Sequence, residues 1–84
     1  MNEQAALDLI KRAHAHARPE DKAIRNSIVP SATLADLNVP SLAAMEMAAF
    51  VEDELDVEFP DDEMANMGSI ADLIGLIRKY GGAK

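Results

Sequence analysis

Ser41 is the residue best placed to do chemistry. It stands where an irregular stretch, Leu37-Asn38-Val39-Pro40, meets the helix-like run Leu42-Ala43-Ala44-Met45-Glu46-Met47. A serine at a helix start can accept a hydrogen bond from a backbone N–H that lacks an intrahelical partner. The partial positive charge at the same end favours an anion such as phosphate. The position suits a serine that carries a phosphate, with a plain helix cap as the alternative. A hydrolase nucleophile fits less well, because Ser41 has no flanking glycine elbow and no credible histidine partner. His14 and His16 lie two apart, which on a helix points their rings to different faces and argues against a shared metal. His14 is expected at the core edge and His16 in solvent. The acids from Glu52 to Glu63 lack the Asp-x-Asp-x-Asp-Gly spacing of a calcium loop, and Phe59-Pro60 interrupts them.

The helix that presents Ser41 is expected over Leu42 to about Asp56. At the 3.6-residue period, Ala44, Met47, Phe50, Val51 and Leu55, with Ala48 at the edge, form one broad apolar side that faces a core. Glu46, Asp53 and Asp56 fall opposite, with Glu52 beside them. Leu42, Met45 and Ala49 fall among these acids, as an apolar strip framed by carboxylates. Such a strip suits a docking surface, although single exposed apolar residues are ordinary.

Eighty-four residues make one small domain, here taken as 1–84, too small for a deep enzyme cleft. The chain has no cysteine, so any thiol chemistry must come from an attached group. No apolar run approaches a membrane span, and Met1-Asn2-Glu3-Gln4 does not begin a secretory signal, so a cytoplasmic monomer is expected. The net charge of −7 is unevenly placed. Residues 1–40 balance five acids with five bases, whereas Ser41 to Asp72 holds ten acids and no lysine or arginine. That field repels nucleic acid and attracts basic protein surfaces.

Around this element the pattern predicts a small all-α four-helix bundle, three main helices plus one short one, with a long loop between helices 1 and 2. The first helix covers residues 3–17, with Ala6, Leu7, Ile10, Ala13, His14 and Ala17 at core spacing, and Pro19 ends it. Residues 18–40 exceed an ordinary helix connection and are anchored by Ile24, Ile28, Val29, Leu34 and Leu37. Helical turns are expected over Ala23 to Val29 and Ala32 to Leu37. A short helix follows from Asp61 to Met67, closed by Gly68. Ser69-Ile70-Ala71-Asp72 resembles a capping box with Asp in place of Glu. The last helix runs from Ile70 to Tyr80, offers Ile70, Leu73, Ile74, Ile77 and Tyr80 to the core, and stops at Gly81-Gly82.

Two stretches carry a family resemblance. Asp36-Leu37-Asn38-Val39-Pro40-Ser41-Leu42, followed by Met45-Glu46-Met47, resembles the serine motif of the acyl carrier proteins. The run from Val51 to Glu63, with its Phe59-Pro60-Asp61 turn, resembles that family's acidic helix end and is the more specific match. The resemblance covers nearly the whole chain. It implies a free-standing, non-catalytic carrier whose Ser41 receives 4′-phosphopantetheine from coenzyme A through a magnesium-dependent phosphopantetheinyl transferase. The arm's thiol would then hold acyl intermediates of fatty acid, polyketide or related secondary-metabolite synthesis as thioesters. It also implies that acyl-loading and acyl-processing enzymes dock basic and apolar patches on Leu42, Met45, Glu46, Ala49, Glu52 and Asp53. Part of an acyl chain would enter a soft core of Met47, Ala48, Ala44, Val51, Ile70 and Ile74. The chain departs from the family where Pro40 replaces the aspartate before the serine, Asn38 replaces a glycine, and Ala43 replaces a frequent acid. A peptidyl or aminoacyl carrier of nonribosomal synthesis, or an unmodified interaction module, are the alternatives.

Overall fold

The computed structural model describes residues 2–81. Its elements are α1 (Glu3–Ala17), a 3₁₀ turn (Ala23–Ser27), α2 (Ser41–Leu55), α3 (Asp61–Ala65) and α4 (Ile70–Leu76), which continues as a wider π turn (Ile77–Gly81). The all-α bundle expected from the sequence is what forms. α1 packs mainly along α2 and touches α4 and the 3₁₀ turn.

α1 begins where the Asn2 side chain accepts from the Ala5 N–H at 2.8 Å, satisfying an otherwise orphaned donor. Its buried stripe is Ala6, Leu9, Ile10, Ala13 and His14, so Leu9 takes a core place while Leu7 and Ala17 are half-buried. α2 buries Ala43, Ala44, Met47, Ala48 and Val51. Phe50 and Leu55, expected in the core, are half-buried at its rim. The Phe50 ring lies 5.2 Å from the His16 ring and 5.8 Å from the Arg12 guanidinium, both on α1. His16 is thus exposed on one side and stacked on the other.

The long connection is ordered by anchors rather than by length. Ile28, Leu34, Leu37 and Val39 are all buried, whereas Val29 is exposed. The turn over 33–38 is closed by Asp36 N–H to Thr33 Oγ1 at 3.0 Å and Val39 N–H to the Leu34 carbonyl at 2.9 Å. The start of α4 holds the connection from the other side. Ile70 and Ala71 donate their N–H groups to the Ala32 and Pro30 carbonyls, and the Leu34 N–H donates to Gly68. The capping box at that helix start is present, with Asp72 N–H to Ser69 Oγ and Ser69 N–H to the Asp72 carboxylate, each at 3.1 Å.

α3 is shorter than expected, ending at Ala65, because the Asn66 side chain bonds back to the Asp62 carbonyl at 3.0 Å and the chain turns. The α4 pitch widens after Leu76, and the chain closes on buried Gly81. A Cβ at Gly81 would lie 2.5 Å from Leu55 Cδ1, so a larger residue there would require the Leu55 side chain to shift. Gly82, the other half of the expected stop, lies outside the described residues.

His14 is fully buried rather than at the core edge. Its Nδ1 accepts from Arg25 Nε at 3.0 Å, and that guanidinium also donates to the Arg18 carbonyl at 2.8 Å, pinning the connection to the end of α1. Nδ1 is an acceptor here, so the proton belongs on Nε2, which has no hydrogen-bond partner among the described residues. Burial, and then the Arg25 charge, push the imidazole below its ordinary value. The folded state thus binds a proton less readily than the unfolded chain. Its contribution to stability is fully present above the unfolded value of about 6.5 and is lost as pH falls through it toward the lower folded value. His14→Gln keeps an acceptor without the titration. Urea midpoints compared at pH about 7.5 and about 5.5 should fall less in this variant than in the wild type, and equal falls would refute the assignment.

Candidate functional site

Ser41 is the first residue of α2, and Pro40 is its N-cap, with extended φ −70° and ψ 164°. The helix therefore starts one residue earlier than expected, and among the described residues the Ser41 side chain makes no capping bond. The cap reading is corrected: proline fixes the entry angle but has no side-chain acceptor, and Ser41 lies inside the helix. The Ala44 N–H is the first to find a helical carbonyl, that of Pro40, at 2.9 Å. The N–H groups of Ser41, Leu42 and Ala43 have none, so an exposed hydroxyl sits at the positive end of a fifteen-residue helix.

The residues before Ser41 are shaped to hold it there. Asn38 takes φ 54°, a left-handed conformation that glycine enters freely and asparagine tolerates better than most residues. This gives a physical account of asparagine at the position where the motif this stretch resembles has glycine. Leu37 and Val39 on either side are buried, so the turn is clamped to the core immediately before Pro40.

An apolar groove of about 340 Å³ opens beside Ser41. Its walls are Ala44, Met45 and Ala48 on α2, Leu34, Ala35 and Val39 on the connection, and Met64, Ala65 and Met67 at α3. Of the residues expected to make room for an acyl chain, Ala44 and Ala48 line this groove. Met47, Val51, Ile70 and Ile74 are instead packed in the core. The open volume lies between α2 and α3, not at the centre of the bundle. Met64 and Met67, three apart and adaptable in shape, were the sequence signal for that wall. A larger groove of about 510 Å³ is lined by Arg18, Asp21, Ile24, Leu37 and Asn38 among others and does not reach Ser41.

The acid-framed strip lies on the solvent face of α2. Leu42 is 74% and Met45 55% exposed, unusual for large apolar side chains, and Glu46, Ala49 and Asp53 are exposed beside them. Glu52 differs from these, being half-buried with its carboxylate accepting the Phe59 N–H at 2.6 Å. Its carboxylate holds the turn after α2. Two further acids of this half have basic partners, Glu54 with Arg12 and Glu63 with Lys79. Among the described residues no three His, Asp or Glu side chains gather into a metal-binding group. No helix there is long and apolar enough to cross a membrane.

Residues 22–77 match the family described as Phosphopantetheine attachment site. The chain belongs to the acyl carrier proteins. It is 32% identical over 78 residues to an acyl carrier protein of Thermosynechococcus vestitus, a match covering 92% of this chain and 93% of that one. It is 33% identical over 64 residues to a mitochondrial acyl carrier protein of Dictyostelium discoideum, covering 76% of this chain and 53% of that protein. A meromycolate extension acyl carrier protein of Mycolicibacterium smegmatis is 34% identical over 44 residues, covering 52% of this chain and 44% of that protein. Against two of these three relatives, then, the match spans only about half their length. No solved structure matches. The group this carrier family bears is phosphopantetheine, and the exposed hydroxyl at a helix N-terminus fits a phosphodiester there.

Proposed function

We propose that Ser41 is the attachment residue and that the protein is a non-catalytic carrier of acyl intermediates in fatty acid, polyketide or related secondary-metabolite synthesis. One observation carries this reading: Ser41 is exposed at the first position of α2, with no capping role, at the mouth of an apolar groove. Transfer from coenzyme A would join Ser41 Oγ to the phosphorus of the phosphopantetheine, release the adenosine bisphosphate and leave a phosphodiester. The attached group supplies the thiol that this cysteine-free chain lacks. The chain's own residues orient the phosphodiester at the α2 N-terminus and offer the groove walls to apolar cargo. Intact mass after incubation with coenzyme A, magnesium and a phosphopantetheinyl transferase, followed by peptide mapping, tests the site. A gain of one phosphopantetheine on the peptide holding Ser41 is expected, and a gain mapped elsewhere refutes it.

The same reading assigns Leu42, Met45, Glu46, Ala49 and Asp53 to docking of the transferase and of acyl-loading and acyl-processing enzymes with basic surfaces, with Glu52 contributing from the edge. Charge complementarity acts chiefly on encounter rate and is screened by salt. Glu46→Lys should slow modification about tenfold at low salt, with the gap narrowing as salt is raised, while stability changes by less than about 0.5 kcal/mol. An unchanged rate at low salt would remove Glu46 from the docking surface.

A further inference from the structure

α3 is a partition between two grooves. On one side is the groove that opens at Ser41. On the other is a groove of about 480 Å³ against α4, lined by Glu63, Asn66, Met67, Ala71, Gly75 and Lys79 among others. Met67 faces both. Any shift of α3 across this space widens one groove and narrows the other.

The partition rests on the core through half-buried Met64, with half-buried Met67 just beyond it. α3 has five residues and none is buried. It hangs between two anchors, Phe59 buried before it and Gly68 bonded to Leu34 and Asp72 after it. Between those anchors its polar lateral tie is Glu63. The Tyr80 hydroxyl donates to one Glu63 carboxylate oxygen, and Lys79 Nζ lies 3.4 Å from the other. The Tyr80 ring is itself set by Phe59, 6.2 Å away, with Lys79 Nζ 5.2 Å above its face. The Tyr80 hydroxyl and then Lys79 hold the Glu63 carboxyl below its ordinary range, so the acceptor stays charged.

We propose that Glu63, clasped by Tyr80 and Lys79, is a specificity-determining residue that limits the width of the groove beside Ser41 and thereby the length of acyl chain the carrier can bury. This rests on the reading of Ser41 as the acyl-bearing residue. Glu63 does not line that groove; it acts by holding its neighbours Met64 and Ala65, which do. Tyr80→Phe removes the hydroxyl and keeps the ring on Phe59, and Glu63→Ala removes the acceptor at a position where alanine suits a helix. Asp62→Ala removes a charge from the same short helix and leaves the clasp in place.

The wild type and these three variants would be loaded with butyryl-, octanoyl- and dodecanoyl-phosphopantetheine, each product verified by intact mass, and Tm compared with the unacylated form. The chain length at which Tm stops rising should be longer in Tyr80→Phe and Glu63→Ala than in the wild type and Asp62→Ala. The same length in all four proteins overturns the proposal, as does an equal shift in Asp62→Ala. Should Glu63→Ala fail to fold, Tyr80→Phe alone decides. Absence of any mass gain on the wild type is a different failure, which sinks the Ser41 reading and this inference with it.

Discussion

Ser41→Ala should abolish the mass gain completely while leaving the fold as stable as before, to within about 0.5 kcal/mol. The pairing of these two outcomes is what makes the substitution informative. A serine that caps a helix loses about 1 kcal/mol when replaced by alanine. Here Pro40 is the cap and the Ser41 hydroxyl accepts no backbone bond, so nothing structural is removed. Alanine is also the better helix former, by a few tenths of a kcal/mol. Urea midpoints measure one half of the prediction and intact mass the other. A midpoint drop as large as a lost cap would mean that the hydroxyl is bonded in solution. A mass gain that persists in the alanine variant would move the attachment to another serine. The alternatives are weak on geometry. Ser69 Oγ already accepts the Asp72 N–H, Ser27 closes a 3₁₀ turn, where the dipole repels phosphate, and Ser31 lies in a turn of the connection rather than at a helix start.

What the sequence revealed and what it concealed divide along a physical line. α1 and α2 were legible because their apolar residues recur at the helical period and their ends carry strong signals, Pro19 after one and Pro40 before the other. The α4 cap was legible because Ser69 and Asp72 stand at the capping-box spacing. The connection was legible only as a row of anchors, since Ile28, Leu34 and Leu37 have no common period and find one another through tertiary packing. Ser41 was recognised, yet its role at the helix start was misjudged by one residue. That one step turns a capping side chain into an exposed hydroxyl. The groove was misplaced for a similar reason. Periodicity identifies which side of α2 is apolar, but not whether α3 packs tightly enough against that side to leave no space. Nor does spacing reveal that Glu52 turns back to the Phe59 N–H, or that Glu63 and Tyr80, seventeen residues apart, meet at all.

Leu37→Ala should destabilise the carrier by about 2–5 kcal/mol, the usual loss for truncating a buried leucine and leaving a cavity. For a domain of this size, total stability is roughly 4–13 kcal/mol, so the variant sits close to its unfolding limit. Leu42→Ala, five residues further on, should change stability by less than about 0.5 kcal/mol. The two leucines differ in exposure, 2% for Leu37 and 74% for Leu42. Urea unfolding of the pair therefore separates a residue that holds the site from one that lies on its surface. The loss at Leu37 should also be felt locally. The turn from Thr33 to Asn38 contains the strained left-handed residue and leads directly into Pro40 and Ser41, and it is kept in place by Leu37 and Val39. With the Leu37 anchor gone, the Val39 amide, bonded to the Leu34 carbonyl, should exchange with solvent faster than amides in the middle of α1. If Leu37→Ala costs no more than Leu42→Ala, the connection is not fastened through this residue. The placement of Ser41 would then depend on the α4 contacts at Ala32, Pro30 and Leu34 instead.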